Sequence, residues 1–207
     1  MVFDPEQNVR VSDLTQLLVT IAASDHRTAA DLLDATPSLA TACVARRDEF
    51  FLADRLAQVY EGDTALHAAA FSYDAEMARE LLRRGAAVRA RNRRGAEPLH
   101  AATIGAPGSP SWNPTRQRAV IVYLVEAGAD PNAPAAGGVT PLHRAVRNRC
   151  SAAVEALLEV GADPRLTNDR GSTASDLAHW TTGRGGTGSV DAKAEQRIIA
   201  QLLKTHA

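Results

Sequence analysis

Three histidines, His67, His100 and His143, have the most obvious capacity for chemistry in this chain, because imidazole is both a common metal ligand and a general base near neutral pH. They stand 33 and 43 residues apart. A metal centre needs its ligands within about 2 Å of one ion. Rings that recur once per structural unit are instead held about a unit apart, so the spacing points to structural hydrogen bonding and no metal site is expected. Asp176 and His179, three apart on a predicted helix, have the geometry of a packing pair. There is no Gly-x-Ser-x-Gly and no His-Glu-x-x-His, and neither Cys43 nor Cys150 lies in a nucleophile motif. No catalytic residue is assigned, no cofactor is expected, and the reading leans away from an enzyme. The two cysteines have no CxxC context, which suggests reduced thiols rather than a disulfide framework or zinc.

The elements that must position these histidines are written in a recurring phrase. It reads Gly62-Asp63-Thr64-Ala65-Leu66-His67-Ala68-Ala69, then Gly95-Ala96-Glu97-Pro98-Leu99-His100-Ala101-Ala102, then Gly138-Val139-Thr140-Pro141-Leu142-His143-Arg144-Ala145, and finally Gly171-Ser172-Thr173-Ala174-Ser175-Asp176-Leu177-Ala178. The glycines follow one another at 33, 43 and 33 residues. Each of the first three phrases is followed by a second marker, as in Leu157-Leu158-Glu159-Val160-Gly161-Ala162-Asp163-Pro164. A period of 33 with Thr-Pro-Leu-His-x-Ala resembles the ankyrin repeat, and the whole chain resembles stand-alone bacterial ankyrin-repeat proteins. The resemblance implies an all-α solenoid of helix-turn-helix pairs joined by β-hairpin-like connections. Its expected divisions are 1–60 as a degenerate first repeat, helical cap and connector, then repeats at 61–94, 95–137, 138–170 and 171–207, with long inter-helix loops near 105–115 and 181–192.

Local signals refine this outline. Residues 1–10 read as loose, and Ser12-Asp13 as the N-cap of a first helix with Leu14, Leu17, Leu18 and Ile21 on one face. A second helix fits 27–34, a third could run from Pro37 to about Arg46, and a fourth from Glu49 to Val59. Thr64 is placed to cap a helix. Glu97 stands where the phrase otherwise has Thr, which weakens the hydroxyl-capping argument there. Gly105-Ala106-Pro107-Gly108-Ser109-Pro110 writes a loop, into which Trp112 is set. Arg149 occupies a place where the family commonly has Gly.

The resemblance also implies a concave groove built from hairpin tips and inner helices. Carried over position by position, its residues include Tyr60, Phe71, Arg93, Arg94, Arg147, Asn148, Arg170 and Trp180. Aromatic and Arg residues dominate binding hot spots, so these eight form the expected site for a protein partner with acidic groups. The other reading is a small anionic ligand held by Arg149, Arg184, Gly185, Gly186, Thr187 and Ser189, where a glycine-rich stretch could expose backbone N–H groups. The stretch lacks the Lys of a P-loop.

Composition narrows the partners. Of 23 basic residues only Lys193 and Lys204 are lysines, so arginine supplies the planar forks that suit carboxylate and phosphate. A net charge of −1 and few aromatics give no bias toward nucleic acid. No run of about 18 apolar residues suggests a membrane span, and the start carries no secretory pattern. A cytoplasmic protein is the expectation.

Overall fold

The computed structural model describes residues 5–52, 57–180 and 189–206. Ten helices among them form five antiparallel pairs: α1 (Pro5–Ala22) with α2 (His26–Ala35), α3 (Ala65–Phe71) with α4 (Ala75–Arg83), α5 (Pro98–Ala102) with α6 (Pro114–Glu126), α7 (Pro141–Arg147) with α8 (Ser151–Glu159), and α9 (Ala174–Trp180) with α10 (Val190–Thr205). The first members stack in one row and the second members in another. Leu17, Ile21, Leu66, Leu81, Leu99, Ile121, Leu124, Leu142, Leu157 and Ile199 lie fully buried between the rows. Alanines at 69, 70, 102 and 145, also buried, let the inner helices approach closely. This is the expected all-α solenoid. No helix among the described residues is long and apolar enough to cross a membrane.

The N-terminal part departs from expectation. Helix α1 begins at Pro5, a full two turns before Ser12. The run from Pro37 makes only a 3-10 turn, Pro37–Ala40, and the helix expected over 49–59 is a hairpin. Strand β1 (Phe50–Leu52) pairs antiparallel with β2 (Ala57–Val59), Phe50 opposite Val59 and Leu52 opposite Ala57. Alternation explains it: Phe51 and Gln58 face solvent while Phe50, Leu52 and Val59 turn inward. Gln58 fixes the pair by donating to the Phe50 and Val59 carbonyls at 3.0 and 2.9 Å.

Three of the inner helices, α3, α5 and α7, start the same way. The Thr64 N–H donates to Nδ1 of His67 at 3.2 Å in a capping box, and the same imidazole reaches the Ala96 carbonyl of the next repeat through Nε2 at 3.1 Å. His100 accepts from the Glu97 N–H and bonds the Val139 carbonyl, each at 3.1 Å. His143 accepts from the Thr140 N–H at 3.3 Å and bonds the Ser172 carbonyl at 3.0 Å. Glu97 corrects the sequence reading: it completes a capping box without a hydroxyl, and its fully buried carboxylate is matched by Arg91 at 3.0 Å. Because Nδ1 accepts, the proton sits on Nε2 and the ring is neutral.

Burial holds all three imidazoles below their ordinary pKa, and His100, further opposed by Arg144, is pushed down to about 4. An unfolded histidine titrates near 6.5. Between those values the unfolded chain binds more protons, so His100 removes stability as pH falls from about 6.5 to about 4 and removes no more below that. The loss from this residue is on the order of 3 kcal/mol. In urea titrations at several pH values, His100→Gln is expected to be less stable than wild type at pH 7 and to lose less on acidification. A curve parallel to wild type would contradict the assignment.

Candidate functional site

The inter-repeat turns are tied to one another by backbone bonds. Gly62 N–H donates to the Val44 carbonyl at 2.8 Å, Arg93 to Glu61 at 2.7 Å, Ala136 to Arg94 at 2.8 Å and Asp169 to Gly137 at 3.0 Å. Gly62 has φ +84, and a Cβ there would lie 2.7 Å from the Asn92 Cα. Only glycine permits that approach. The result is a row of fingers along one edge of the inner helices.

At the opposite end of the inner helices, the loop between α5 and α6 is fastened by a buried polar network. Gln117, fully buried on α6, accepts from the Trp112 indole N–H at 2.9 Å and donates to the Ala102 carbonyl at 2.9 Å. The Tyr73 hydroxyl donates to the Ile104 carbonyl. A Cβ on Gly105 would fall within 2.8 Å of Cys150 Sγ, Trp112 Cδ1 and Tyr73 Oη, so any larger residue there would force those side chains to shift.

Fingers, inner helices, hairpin and loop enclose a cavity of about 610 Å³, a volume in the range of ligand pockets. Tyr60, Asp63 and Arg94 line it from the fingers, Phe71 and Ile104 from the ends of α3 and α5, Leu52 and Val59 from the hairpin, and Trp112 from the loop. Every lining residue lies between Leu18 and Trp112 except Arg144, which enters from α7. Arg144 is the x of the recurring phrase, where the preceding repeats have Ala68 and Ala101. Those two small residues line the cavity as well and leave room for the long side chain.

Electrostatically, Arg144 is in a poor place for a cation. Burial, then the guanidiniums of Arg94 and Arg147, hold its pKa below the ordinary arginine value. Among the described residues no carboxylate forms an ion pair with Arg94, Arg144 or Arg147. Elsewhere pairing is common: Arg84 with Asp34 and Glu80, Arg91 with Glu97, Arg118 with Glu159. The acid closest in influence, Asp63, has both oxygens engaged, by the Tyr60 N–H at 2.7 Å and Asn92 at 2.8 Å.

The residues singled out from the sequence divide clearly. Tyr60, Phe71 and Arg94 line the cavity together. Arg93 is occupied, forking onto Glu49, with its guanidinium 4.9 Å from the Tyr60 ring centroid. Arg94 lies over the same ring at 5.4 Å. Arg147 is exposed at the end of α7, Asn148 donates to the Thr103 carbonyl at 3.3 Å, and Arg170 is exposed on the next finger. Trp180 ends α9, and its side chain, with Arg184, Gly185, Gly186 and Thr187, lies outside the described residues. Of the other anion set, Ser189 caps α10 by accepting from the Ala192 N–H at 3.1 Å, and Arg149 holds φ +58 at the turn after α7. Asp176 is taken up by Thr173, whose N–H and hydroxyl donate to it at 2.8 and 2.7 Å. Cys43 and Cys150 are free thiols, and burial pushes Cys150 up to about 12. The missed residue is Arg144, whose signal was the break in size at one phase of the repeat.

Comparison with known proteins agrees with this architecture. Residues 44–135 match a sequence model described as ankyrin repeats (3 copies), and residues 124–178 match one described as ankyrin repeats (many copies). The chain is similar to ankyrin repeat and SOCS box protein 16 of Mus musculus, with 40% identity over 115 residues, 56% of this chain and 25% of that protein. It thus spans about a quarter of the length of that curated relative.

The loop wall depends on Gln117. Gln117→Leu leaves the Trp112 indole N–H and the Ala102 carbonyl without that partner, at a cost of about 1–3 kcal/mol per orphaned buried group. In a Trp180→Phe background, urea unfolding is expected to show lower stability, with Trp112 emission shifted to the red in the native state. Native emission identical to the parent would mean that Gln117 does not hold the loop.

Proposed function

Residues 44–178 match models of ankyrin repeats, and on that footing we propose that the chain is a non-enzymatic interaction module gripping a segment of a protein partner in its concave groove, with a preference for acidic groups. Ankyrin repeats generally serve protein–protein interaction, and stacked repeats present extended concave surfaces suited to it. The observation that carries the acidic preference is that Arg94 and Arg144 line one cavity, with the charge of Arg147 also acting on Arg144, and that no carboxylate among the described residues forms an ion pair with any of the three. A carboxylate from outside supplies the missing countercharge. Tyr60 and Phe71 offer the apolar contact that anchors such a segment, and Asn148 and Arg170 extend the polar edge toward the last repeat, where Trp180 is assigned by register. Arg93 has a different role: pinned on Glu49, it braces the Tyr60 ring.

A peptide-display library cut from natural proteomes, selected on the immobilised chain, tests this reading. Enriched segments are expected to carry Asp or Glu. The best of them should bind the Arg94→Ala/Arg147→Ala variant about tenfold more weakly and with a flatter dependence on salt. Arg93→Ala should lower thermal stability more than it lowers affinity. Equal affinity for the folded double variant and wild type would sink the proposal.

A further inference from the structure

We infer that Arg144 anchors a subsite that takes a carboxylate side chain lying next to a bulky apolar one in the same partner segment. The inference rests on the groove reading above and specifies its chemistry. Arg144 reaches from the third repeat across the alanine positions of the first two, so its guanidinium belongs to a cavity that its own repeat does not otherwise build. That side chain is partly buried, stands near two other guanidiniums, and has no ion-pairing acid among the described residues. A fold gains nothing from such a cation by itself, since desolvation and like charge both oppose it. A bound anion offsets both costs.

The rest of the wall says which anion. Phe71, Ile104 and Trp112 give the same cavity an apolar side, and the buried Gln117 network holds Trp112 in place. A simple inorganic ion leaves that surface wet, whereas an apolar side chain covers it and lowers the local dielectric, which strengthens the neighbouring ion pair. The single fork of Arg144 matches the planar two-oxygen geometry of a carboxylate. Asp63, facing the same space with its negative charge, works against a doubly charged phosphate.

A random heptapeptide display library selected in parallel on wild type, Arg144→Gln, Arg144→Lys and Phe71→Ser, each first shown to melt cooperatively by circular dichroism, separates the outcomes. Wild type is expected to enrich Asp or Glu immediately beside Phe, Leu, Ile or Trp. Arg144→Gln should lose the acidic preference and keep the apolar one, Phe71→Ser should do the reverse, and Arg144→Lys should restore the acid only in part. The leading peptide should bind Arg144→Gln about tenfold or more weakly than wild type. The inference is overturned if the acidic preference survives in Arg144→Gln, if enriched acids have no apolar neighbour, or if a phosphoserine version of the leading peptide outbinds the Glu version. The first two results leave the groove reading standing. No enrichment over an unrelated control protein on any variant removes both.

Discussion

The structure depends on one bridging interaction, made three times. An imidazole accepts a hydrogen bond inside its own helix cap and reaches a carbonyl at the start of the next repeat, so a single side chain sets both where a helix begins and where its neighbour lies. The separations are 29, 39 and 29 residues for His67 to Ala96, His100 to Val139 and His143 to Ser172. The ten residues added in the middle case do not disturb the bond, because they are looped out between α5 and α6. The bridge tolerates no charge on the ring: a proton on Nδ1 would confront the N–H it now accepts from. Burial enforces the same choice.

Fixing the register at the fingers frees the exposed face of the inner helices. The x position of the phrase makes no bridge and only flanks the core, so it holds alanine in two repeats and arginine in the third without altering the stack, while Leu177 packs against the core in the fourth. Cationic crowding at Arg144 is therefore carried by a scaffold whose stability lies elsewhere, in the buried leucines and the imidazole bridges. Departures from local consistency of this kind are characteristic of functional surfaces. The inserted loop obeys the same logic, adding a wall to the cavity while Gln117 and Gly105 absorb its cost.

How far this was legible in the sequence follows from the range of each interaction. The repeat phase, the Thr64 cap and the glycine-rich insertion are local or periodic and could be read directly, whereas Ser12-Asp13 lies inside a helix that starts at Pro5 and Glu97 caps without a hydroxyl. Arg149, where the family commonly has Gly, holds a positive φ at its turn, and Tyr73 and Ser24 hold the same conformation at the turns of the earlier pairs. The hairpin at 50–59 was not legible as such. Short apolar runs are ambiguous between periods of two and 3.6, and Phe50, Phe51, Leu56 and Val59 satisfied a helical reading. Long-range pairing escaped for another reason: Glu49 lies 44 residues from Arg93, and no periodicity announces that the guanidinium is spoken for. Arg144 was hidden because family positions were transferred repeat by repeat, whereas its side chain serves the repeats before its own.

In the proposed reading the cavity recognises a partner, and the groups around it bear on that reading. Its imidazole, His67, has both ring nitrogens in structural bonds, and its pKa is held low by burial. Asp63 lies 3.7 Å from that ring, a spacing that would suit a base and its orienting acid, yet its oxygens already accept from Tyr60 and Asn92. The thiol beside the loop, Cys150, is pushed to about 12 and so is protonated at neutral pH. General acid–base or nucleophilic work needs a group whose proton can leave and return near working pH. His67, Asp63 and Cys150 are each committed to holding the fold, and in the proposed reading positive charge and apolar surface are what the cavity offers a partner.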